Sequence, residues 1–421
     1  MGILIAGYYG YRNWGDEGSL ATLLQVLPRE SVWVLSGDPP FTEATYGVRA
    51  LPRLELRTVR RAVRESDALI LGGGSLLQDA TSLRSLLYYL ALICWGLRAH
   101  GRVLLVGQGV GPLRRRMGRW LTAHLLQQVP FLSVRDADSA RLLASLGVSG
   151  ATVDADLTWA LESQPAHVAM DAGARWVGLA PRVWADAPVQ RAFADLCRRL
   201  HADGYRPLLI PMQESQDRAL CETIAAATGA HALPAPQPAH VAMEAGARWV
   251  GLAPRLWADA PVSQAFADLC RRLHAEGYQA LLIPMQETQD RALCEAIAAA
   301  TGATTLPPPQ HPAQLLGVMA RLEAMVAMRL HGAIFAASAG APVLCVSYDP
   351  KVDALAAQLG APTVPLSALD GGLAEAWAAF PREALRARLQ ETVPALQAAA
   401  KGLLARVQTA CQRSPETFTT P

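Results

Sequence analysis

The sequence lacks the marks of several large protein classes. Its cysteines are few, seven in 421 residues, their number is odd, and no two have the spacing Cys-x-x-Cys. This usage favours buried reduced thiols over a disulfide framework or a zinc site. An excess of one charge is also lacking, since 38 Lys and Arg stand against 36 Asp and Glu. We therefore expect no structural metal and no nucleic-acid partner.

Long hydrophobic runs and a secretion signal are lacking as well. The longest charge-free apolar stretch, residues 86–97, is shorter than the roughly 20 residues that span a membrane. Residues 1–7 have no basic segment and run into a glycine turn, which is typical of an opening strand. We expect a cytoplasmic protein in which residues 86–97 form a buried helix, and peripheral contact with the inner face of the cell membrane is left open.

What is present is a regular alternation of short apolar runs and helix-like stretches over the first 160 residues. We predict strands at 3–6, 32–35, 67–71, 103–106 and 131–134, and helices at 19–27, 83–99, 117–128 and 137–146. This alternation predicts a parallel sheet covered on both faces, a Rossmann-like domain. Glycine clusters follow three of the strands. Because ligands bind at the carboxyl ends of strands in such sheets, the clusters mark a candidate cleft edge.

An internal repeat follows. Residues 165–237 recur as residues 238–310 with 61 identical positions and 12 substitutions. Each copy has the pattern strand, helix, strand, helix, so a whole βαβα block is duplicated, and two such similar copies indicate a tandem duplication inside one domain and not a solenoid. The predicted division of the chain is an N-terminal Rossmann-like domain at 1–160, the two copies, the remainder of a second Rossmann-like domain at 311–381, and a C-terminal helix and tail at 382–421.

The glycine-rich segment at residues 7–17 lies where the first strand turns into a helix. Such a turn presents backbone N–H groups and a positive dipole end, to which an anion or sugar hydroxyls can bind. Asp16 stands where a phosphate loop requires lysine, which argues against an ATPase. The alternative is that Asp16 and Glu17 only complement the start of the helix. The run Gly72-Gly73-Gly74 similarly lets a ligand approach the backbone closely, or forms a tight structural turn.

Arg329-Leu330-His331 is the sharpest local cluster. If it ends a strand, alternation places Arg329 and His331 on the same side. Arginine binds carboxylate or phosphate in a planar fork, and histidine moves a proton near neutral pH. Lys351 follows another predicted strand and adds a positive group. The alternative is a capped strand end with a satisfied core histidine.

Each repeat copy adds a strand-end arginine, Arg182 or Arg255, and a glutamine in Pro-Met-Gln, Gln213 or Gln286. At most one copy can occupy the position beside the strand that leads to Arg329. Copy two connects directly to that strand and needs the shorter closing loop, which favours Arg255 and Gln286.

Taken together, these segments resemble the polysaccharide pyruvyl transferase family and, within it, the bacterial cell-wall (CsaB-like) branch. The matching segments are Gly-Tyr-Tyr-Gly-Tyr-Arg-Asn-Trp-Gly-Asp-Glu from residue 7, Gly-Gly-Gly-Ser-Leu-Leu-Gln-Asp from residue 72, Ser-Val-Arg-Asp from residue 133, Pro-Met-Gln, Arg-Leu-His-Gly and Ser-Tyr-Asp-Pro-Lys. They follow the order of the family over nearly the whole chain, and only the second 73-residue copy is extra.

The resemblance implies a fold and a reaction. It implies two Rossmann-like α/β domains in a GT-B-like arrangement, phosphoenolpyruvate as the donor, and a sugar of a lipid-linked cell-wall polysaccharide precursor as the acceptor, without a cofactor or metal. The product is a 4,6-ketal of pyruvate, typically on N-acetylmannosamine, which S-layer proteins recognise.

The resemblance also assigns roles to residues. It places Arg329, His331 and Lys351 around the donor, with one of Arg182 and Arg255 and one of Gln213 and Gln286. Toward the acceptor we expect Asn13, Asp16, Glu17, Gly15, Gly73, Gly74 and Arg135. His331 is the expected general acid and base, with Asp16 or Glu17 as a second base.

Two alternatives stay open. A GT-B glycosyltransferase that uses a nucleotide sugar has the same architecture, although the sequence shows no clear carboxylate for a nucleotide ribose. The second alternative is not an enzyme but an inactive scaffold, in which the extra βαβα block has disrupted the active site.

Overall fold

The computed structural model describes residues 2–79, 82–163, 177–180, 208–209, 249–255, 262–301, 303–307, 309 and 311–412. The chain divides into two compact units. The first comprises Met1–Tyr11, Gly15–Leu161 and the chain from Ala395 on, and the second comprises Arg12–Trp14 and Glu162–Pro394. Each unit is built around one parallel sheet.

The first sheet contains seven described strands in the order β3-β2-β1-β4-β5-β6-β7, all parallel to their neighbours. The strands are β1 Ile3–Tyr9, β2 Val32–Ser36, β3 Arg49–Pro52, β4 Ala68–Gly72, β5 Val103–Gln108, β6 Phe131–Val134 and β7 Thr152–Val153. The helices are α1 Trp14–Leu23, α2 Pro39–Tyr46, α3 Leu56–Glu65, α4 Leu83–Ala99, α5 Arg116–Leu126 and α6 Ala137–Ser145. Starting from β1 at the centre, the chain adds strands outward first on one side and then on the other, which is the Rossmann order.

Helices α3, α4, α5 and α6 share one hydrophobic core with the sheet. Val59 and Val63 of α3, Leu86 of α4 and Leu126 of α5 are buried in the same cluster as Leu69 of β4. Right-handed crossovers place these four helices on one face, because β4 to β7 are added in one direction along the sheet. The helices therefore run antiparallel to the strands, and all of them begin at the carboxyl edge of the sheet.

The second sheet has the order β15-β14-β13-β10-β11-β12-β9 among the described strands. The strands are β8 Val177–Ala180, β9 Leu208–Leu209, β10 Trp249–Ala253, β11 Gln279–Leu282, β12 Thr304–Thr305, β13 Leu322–Ala327, β14 Val343–Ser347 and β15 Thr363–Pro365. The helices are α7 Val262–Ala275, α8 Glu287–Thr301, α9 Pro312–Met319, α10 Leu330–Ser338, α11 Pro350–Leu359 and α12 Leu369–Ala378. The last helix, α13 Arg382–Gln412, begins in the second unit and ends in the first. Strands β10 to β15 repeat the Rossmann order of the first sheet.

The first strands of the two repeat copies match one position in this sheet. Strand β8 pairs with β11 and β13 in the same register as β10, since Leu179 and Leu252 both lie opposite Leu282 and Val326. The two strands have the same sequence. A position between two strands holds one strand at a time, so only one of the two copies can occupy it.

Several predicted elements agree closely with the structure. Strand β6 and helix α4 have the predicted bounds, and β1 and β5 are each somewhat longer than predicted. Helix α1 begins at Trp14, five residues before its predicted start at residue 19, and ends at Leu23. The alternation missed α2, β3 and α3. None of the described helices combines the length and the hydropathy that a membrane crossing requires.

Candidate active site

Four adjacent strands of the second sheet are each followed by a polar residue. Arg255 follows β10, Arg329 follows β13, Tyr348 follows β14, and Gln286 lies four residues beyond β11. These strands are neighbours in the order β14-β13-β10-β11 and are parallel. Because carboxyl ends of parallel strands meet at the same edge, the four side chains converge at the place where ligands bind in α/β domains.

Arg329 is held by a fixed set of hydrogen bonds. Its Nε and Nη2 donate to Oδ2 and Oδ1 of Asp290, each at 3.0 Å, and Nη2 also donates to Oε1 of Gln286 at 2.6 Å. Oδ2 of Asp290 accepts the backbone N–H of Gln286 at 2.8 Å. The planar guanidinium thus meets a carboxylate in a two-bond fork, which fixes its orientation as well as its position.

A second arginine lies close to the first. Arg255 donates from Nη1 to the hydroxyl of Tyr348, and its guanidinium carbon lies 4.6 Å from the centroid of the tyrosine ring. Burial lowers the pKa of Arg329 to about 10, with Asp290 opposing the change and the positive charge of Arg255 adding to it. Arg329 is still protonated at neutral pH. Both arginines are almost fully buried.

The electrostatics of this edge favour an anion. Two buried guanidinium groups lie close together here, and that of Arg329 pairs with the buried carboxylate of Asp290. Three helices, α8, α10 and α11, also begin here, and the N-terminal end of a helix carries partial positive charge. Lys351, half-buried in the first turn of α11, adds a further cation, and its backbone N–H donates to Asp349 at 3.0 Å. We refer to Arg255, Arg329, Gln286, Asp290 and Tyr348 as the arginine cluster.

The predicted geometry of the Arg-Leu-His segment was wrong in one respect. Strand β13 ends at Ala327, Arg329 is the residue that caps α10, and Leu330 and His331 are its first two residues. Strand alternation therefore does not apply to Arg329 and His331. The helix starts early because small and apolar residues follow without interruption, and Gly332 to Ala337 are buried against the sheet. His331 lies in the first turn of the helix and is half-buried.

Asn13 belongs to the second unit, whereas the chain from Gly15 to Leu161 belongs to the first. Residues Arg12–Trp14 cluster with the second unit, where Asn13 forms an isolated antiparallel bridge with Gln286. The backbone N–H of Trp14 donates to the carbonyl of Met285 at 3.3 Å. A residue predicted for the acceptor side thus lies directly beside a residue of the arginine cluster.

Glu17 lies in the first unit, fully buried in α1. Its Oε1 accepts the backbone N–H of Gly10 at 2.9 Å, and its Oε2 accepts the hydroxyl of Tyr46 at 2.9 Å. Burial and the neighbouring charge of Glu17 raise the pKa of Tyr46 well above its ordinary value, so the tyrosine stays a donor. These contacts stabilise the turn after β1.

The triple-glycine turn accommodates α1. Gly73 and Gly74 have φ angles of +67° and +74°. A Cβ on Gly73 would lie 2.4 Å from Oγ of Ser19, and one on Gly74 would lie 2.5 Å from Oδ1 of Asp16. The space that the glycines leave is therefore taken by side chains of α1, and Asp16 lies against the turn. Gly15 is in the first turn of α1, where its carbonyl accepts the hydroxyl of Ser19 at 3.1 Å.

Arg135 is also engaged within the first unit. Its Nη1 donates to Asp156 at 2.8 Å and its Nη2 donates to the hydroxyl of Ser75 at 2.9 Å. Gly109 permits this arrangement, because a Cβ there would lie 2.9 Å from Nη2 of Arg135. Arg135 thus joins the turn after β4 to the chain beyond β7.

Two site predictions lie outside the described residues, Arg182 and Gln213 of copy one. Two residues of the cluster were missed by the sequence reasoning, Asp290 and Tyr348. The signal for Asp290 is its spacing, four residues after Gln286 at the start of a helix, which puts both on one side of the first turn. Tyr348 belongs to a quoted motif, and its place directly after a buried strand was the available signal.

The fold has counterparts among solved structures. S. aureus MnaA with UDP has a TM-score of 0.57 at 9% identity, over 98% of this chain and 97% of that one. A UDP-GlcNAc 2-epimerase of Neisseria meningitidis bound to UDP-GlcNAc has a TM-score of 0.52 at 10% identity, over 97% and 100%. No curated protein sequence matches the chain significantly. The predicted fold class is confirmed: the chain has two parallel-sheet α/β domains of the GT-B-like class.

The family to which the sequence belongs is consistent with the residues found after the strands of the second sheet. The family model for polysaccharide pyruvyl transferase matches residues 17–242 and again residues 230–350. The first match contains copy one of the repeat and the second contains copy two. The chain belongs to the polysaccharide pyruvyl transferase family, and is therefore an enzyme that transfers pyruvate to a polysaccharide.

Proposed function

We propose that the donor of this enzyme is phosphoenolpyruvate and that the acceptor is a sugar of a lipid-linked cell-wall polysaccharide precursor at the inner face of the membrane. The proposed product is a 4,6-ketal on N-acetylmannosamine. The observation that supports the donor assignment is the arginine cluster, in which two buried guanidinium groups lie close together at the carboxyl edge of the sheet. Such groups are suited to bind a small dianion.

Phosphoenolpyruvate has two anionic groups, a carboxylate and a phosphate. Arg329, oriented by Asp290 and Gln286, offers a fixed guanidinium to one of them. Arg255 and Lys351 serve the other, and the N-terminal ends of α10 and α11 add to the positive field. Charge that builds up on the departing phosphate is stabilised by the same groups, so the cluster acts in the transition state and not in binding alone.

The proposed reaction balances without any other reactant. Two hydroxyls of the sugar form two C–O bonds to C2 of phosphoenolpyruvate, and the C2–O bond to phosphate breaks. One hydroxyl proton is delivered to C3, which turns the methylene into a methyl group, and the other leaves with phosphate. His331 is the proposed acid and base for the transfer to C3, since its imidazole lies in the helix turn that follows Arg329.

On the acceptor side we propose Asn13 together with Asp16, with Gly15, Gly73, Gly74 and Arg135 shaping the surroundings. Asn13 is supported by its bridge to Gln286. Asp16 is our choice for the second base, because Glu17 uses both of its oxygens in hydrogen bonds that stabilise the turn after β1.

A nucleotide-sugar reaction is the second candidate, because the two solved structures named above contain UDP or UDP-GlcNAc. The two candidates differ in the ligand that protects the fold from heat, since a ligand that binds only the folded state raises its melting temperature. Phosphoenolpyruvate is expected to raise the melting temperature, and UDP-GlcNAc is expected to leave it unchanged. The reverse result would favour the nucleotide-sugar reaction.

The reaction itself is tested by product mass. Incubation with phosphoenolpyruvate and lipid-linked disaccharides that end in N-acetylmannosamine is expected to yield a product heavier by one pyruvate ketal, with one phosphate released for each. His331→Ala is expected to abolish phosphate release and to keep the melting temperature of the wild type. Normal turnover in this variant would remove His331 from the mechanism.

A further inference from the structure

The first unit has a face on which large apolar side chains are exposed together with many arginines. Six large hydrophobic side chains stand out as exposed among the described residues, and five of them lie on α3, α4 and α5 or just before α3: Leu54, Leu56, Leu87, Met117 and Trp120. Leu54 is 75% exposed and Trp120 65%. Single exposed apolar residues are normal, but such a concentration marks an interaction site.

These residues lie at neighbouring places in the fold. Helices α3, α4 and α5 pack side by side, and all three begin at the carboxyl edge of the first sheet. The five apolar side chains belong to the first five residues of these helices or, for Leu54, to the residues just before α3. Direct contacts join the three starts: the hydroxyl of Tyr88 on α4 donates to the carbonyl of Arg53 at 2.8 Å, and a Cβ on Gly118 of α5 would lie 3.0 Å from Leu86.

Many arginines accompany these apolar residues. Residues 57–64 contain four arginines and residues 114–119 another four, in a chain whose net charge is only +2. Seven of these eight are exposed and Arg119 is half-buried. The carboxylate of Asp79 accepts the backbone N–H groups of Arg114 and Arg115 at 2.7 and 2.8 Å, which holds this loop against the start of α4. Arg61 pairs with Glu65.

The combination favours a lipid surface over other partners. Exposed arginines attract anionic headgroups, while tryptophan and leucine side chains gain by entering the boundary between headgroups and acyl chains. A nucleic-acid backbone would meet the arginines but would leave the leucines and Met117 in water. The face also lies at the carboxyl edge of its sheet, the edge that carries Asp16 and the triple-glycine turn.

We propose that the starts of α3, α4 and α5 dock on an anionic lipid membrane, with Trp120, Met117 and the leucines inserted at the interface and the arginines on lipid phosphates. The reaction chemistry is not needed for this proposal. Together with the proposed function, it places the edge with Asp16 next to the surface where a lipid-linked acceptor resides.

Vesicle sedimentation tests the proposal. The full chain is expected to sediment with vesicles of phosphatidylcholine that contain about 30% phosphatidylglycerol, and to remain in solution with phosphatidylcholine alone. Binding is expected to weaken as salt is raised, because screening reduces attraction between exposed charges. Equal binding to both kinds of vesicle, or to neither, would overturn the proposal.

Two variants and their controls locate the contact. Replacing Arg114, Arg115 and Arg116 together by Gln is expected to weaken vesicle binding roughly a hundredfold, about fivefold for each charge, whereas Arg141→Gln on α6 changes it little. Met117→Ser with Trp120→Ser is expected to abolish the part of binding that persists at high salt. Val153→Ser, the matched control at an exposed apolar position elsewhere, is expected to bind as the wild type does.

Fluorescence gives a measurement that does not depend on stability. Brominated lipids are expected to quench part of the tryptophan emission of the wild type and to quench less in Trp120→Phe. Equal quenching in the two proteins, or face variants that keep wild-type vesicle binding, would show that another surface binds lipid. Retention of double-stranded RNA in place of vesicles would identify a nucleic-acid surface and would likewise contradict the proposal.

Discussion

The carboxyl edges of the two sheets share a strand order but differ in how their buried charges are balanced. At the first edge, Glu17 is matched by a hydroxyl and an amide, and Arg135 is matched by Asp156 and Ser75. At the second edge, Arg255 and Arg329 are both buried and close together, with Arg329 paired to Asp290 and Arg255 donating to the hydroxyl of Tyr348. The first edge pairs its arginine with a carboxylate, whereas the second brings two arginines close together.

The difference indicates which edge is suited to an anion. Two like charges buried close together repel each other, and a bound anion offsets that repulsion. The same order of strands can thus serve two purposes, because the residues just after the strands differ. Four changes of side chain test this contrast.

The largest expected effect comes from Arg329→Met, which removes the oriented guanidinium and keeps much of its apolar volume. We expect kcat/KM for phosphoenolpyruvate to fall about a thousandfold, as for loss of a group that stabilises transition-state charge. Phosphate release is the measurement. Arg329→Lys is the matched control, because lysine keeps the positive charge but cannot form two parallel hydrogen bonds. It is expected to recover only a small part of the lost activity. Full activity in Arg329→Lys would show that orientation is unimportant.

Arg255→Ala is expected to lower kcat/KM about a hundredfold, since it removes one charge-assisted contact to the donor. The repeat provides a matched control, because Arg182→Ala makes the same change in copy one and is expected to have little effect. Equal and small losses in both single variants, with a large loss in the double variant, would mean that either copy completes the site.

Asp290→Asn is expected to have a moderate effect of about tenfold, because the fork that orients Arg329 loses its charge. Asp290 raises the pKa of Arg329, which burial lowers to about 10. Without the carboxylate this pKa falls further, and Arg329 is active as the cation. Activity should therefore decline at a lower pH in the variant than in the wild type as pH rises toward about 10.

The pH profile of kcat/KM distinguishes positioning from a purely structural role for Asp290. A uniform loss at every pH, with an unchanged alkaline limb, would contradict the electrostatic role. Melting curves at neutral pH provide the control for folding.

The smallest catalytic effect is expected at the first edge. Glu17→Gln should destabilise the protein by about 1 kcal/mol, because the bond from Gly10 loses its charge assistance and the Tyr46 hydroxyl must turn to accept from the amide nitrogen. Urea unfolding measures the loss, and phosphate release per folded molecule is expected to stay near that of the wild type. Loss of activity with unchanged stability would identify Glu17 as the second base.

The sequence predicts much of the fold because long apolar periodic segments determine it. The bounds of β6 and α4 are correct, since these segments are buried and flanked by clear breaks. Helix α3 was missed because Arg57, Arg60 and Arg64 make it look like a charge run, and only Val59 and Val63 reveal its inner side. Helix α2 was missed because it opens with two prolines, which suit the start of a helix but suggest a loop.

The candidate site was predictable residue by residue but not in its contacts. Motifs pointed to Arg329, Arg255 and Gln286, and the sheet order brings all three to one edge. That Asp290 would orient Arg329 depends on the pairing of separate strands, which no local pattern contains. His331 was expected on a strand and lies on a helix, because the last residues of a strand and the first of a helix have similar compositions here.

The shared position of β8 and β10 has a consequence for how this gene can change length. A deletion that joins residue 164 to residue 238 would remove 73 residues, including β8 and the edge strand β9, and would keep β10 between β11 and β13. Gain or loss of the block by unequal crossing-over would therefore leave the central strands and the arginine cluster in register. Such a chain can vary in size between relatives while its chemistry stays the same.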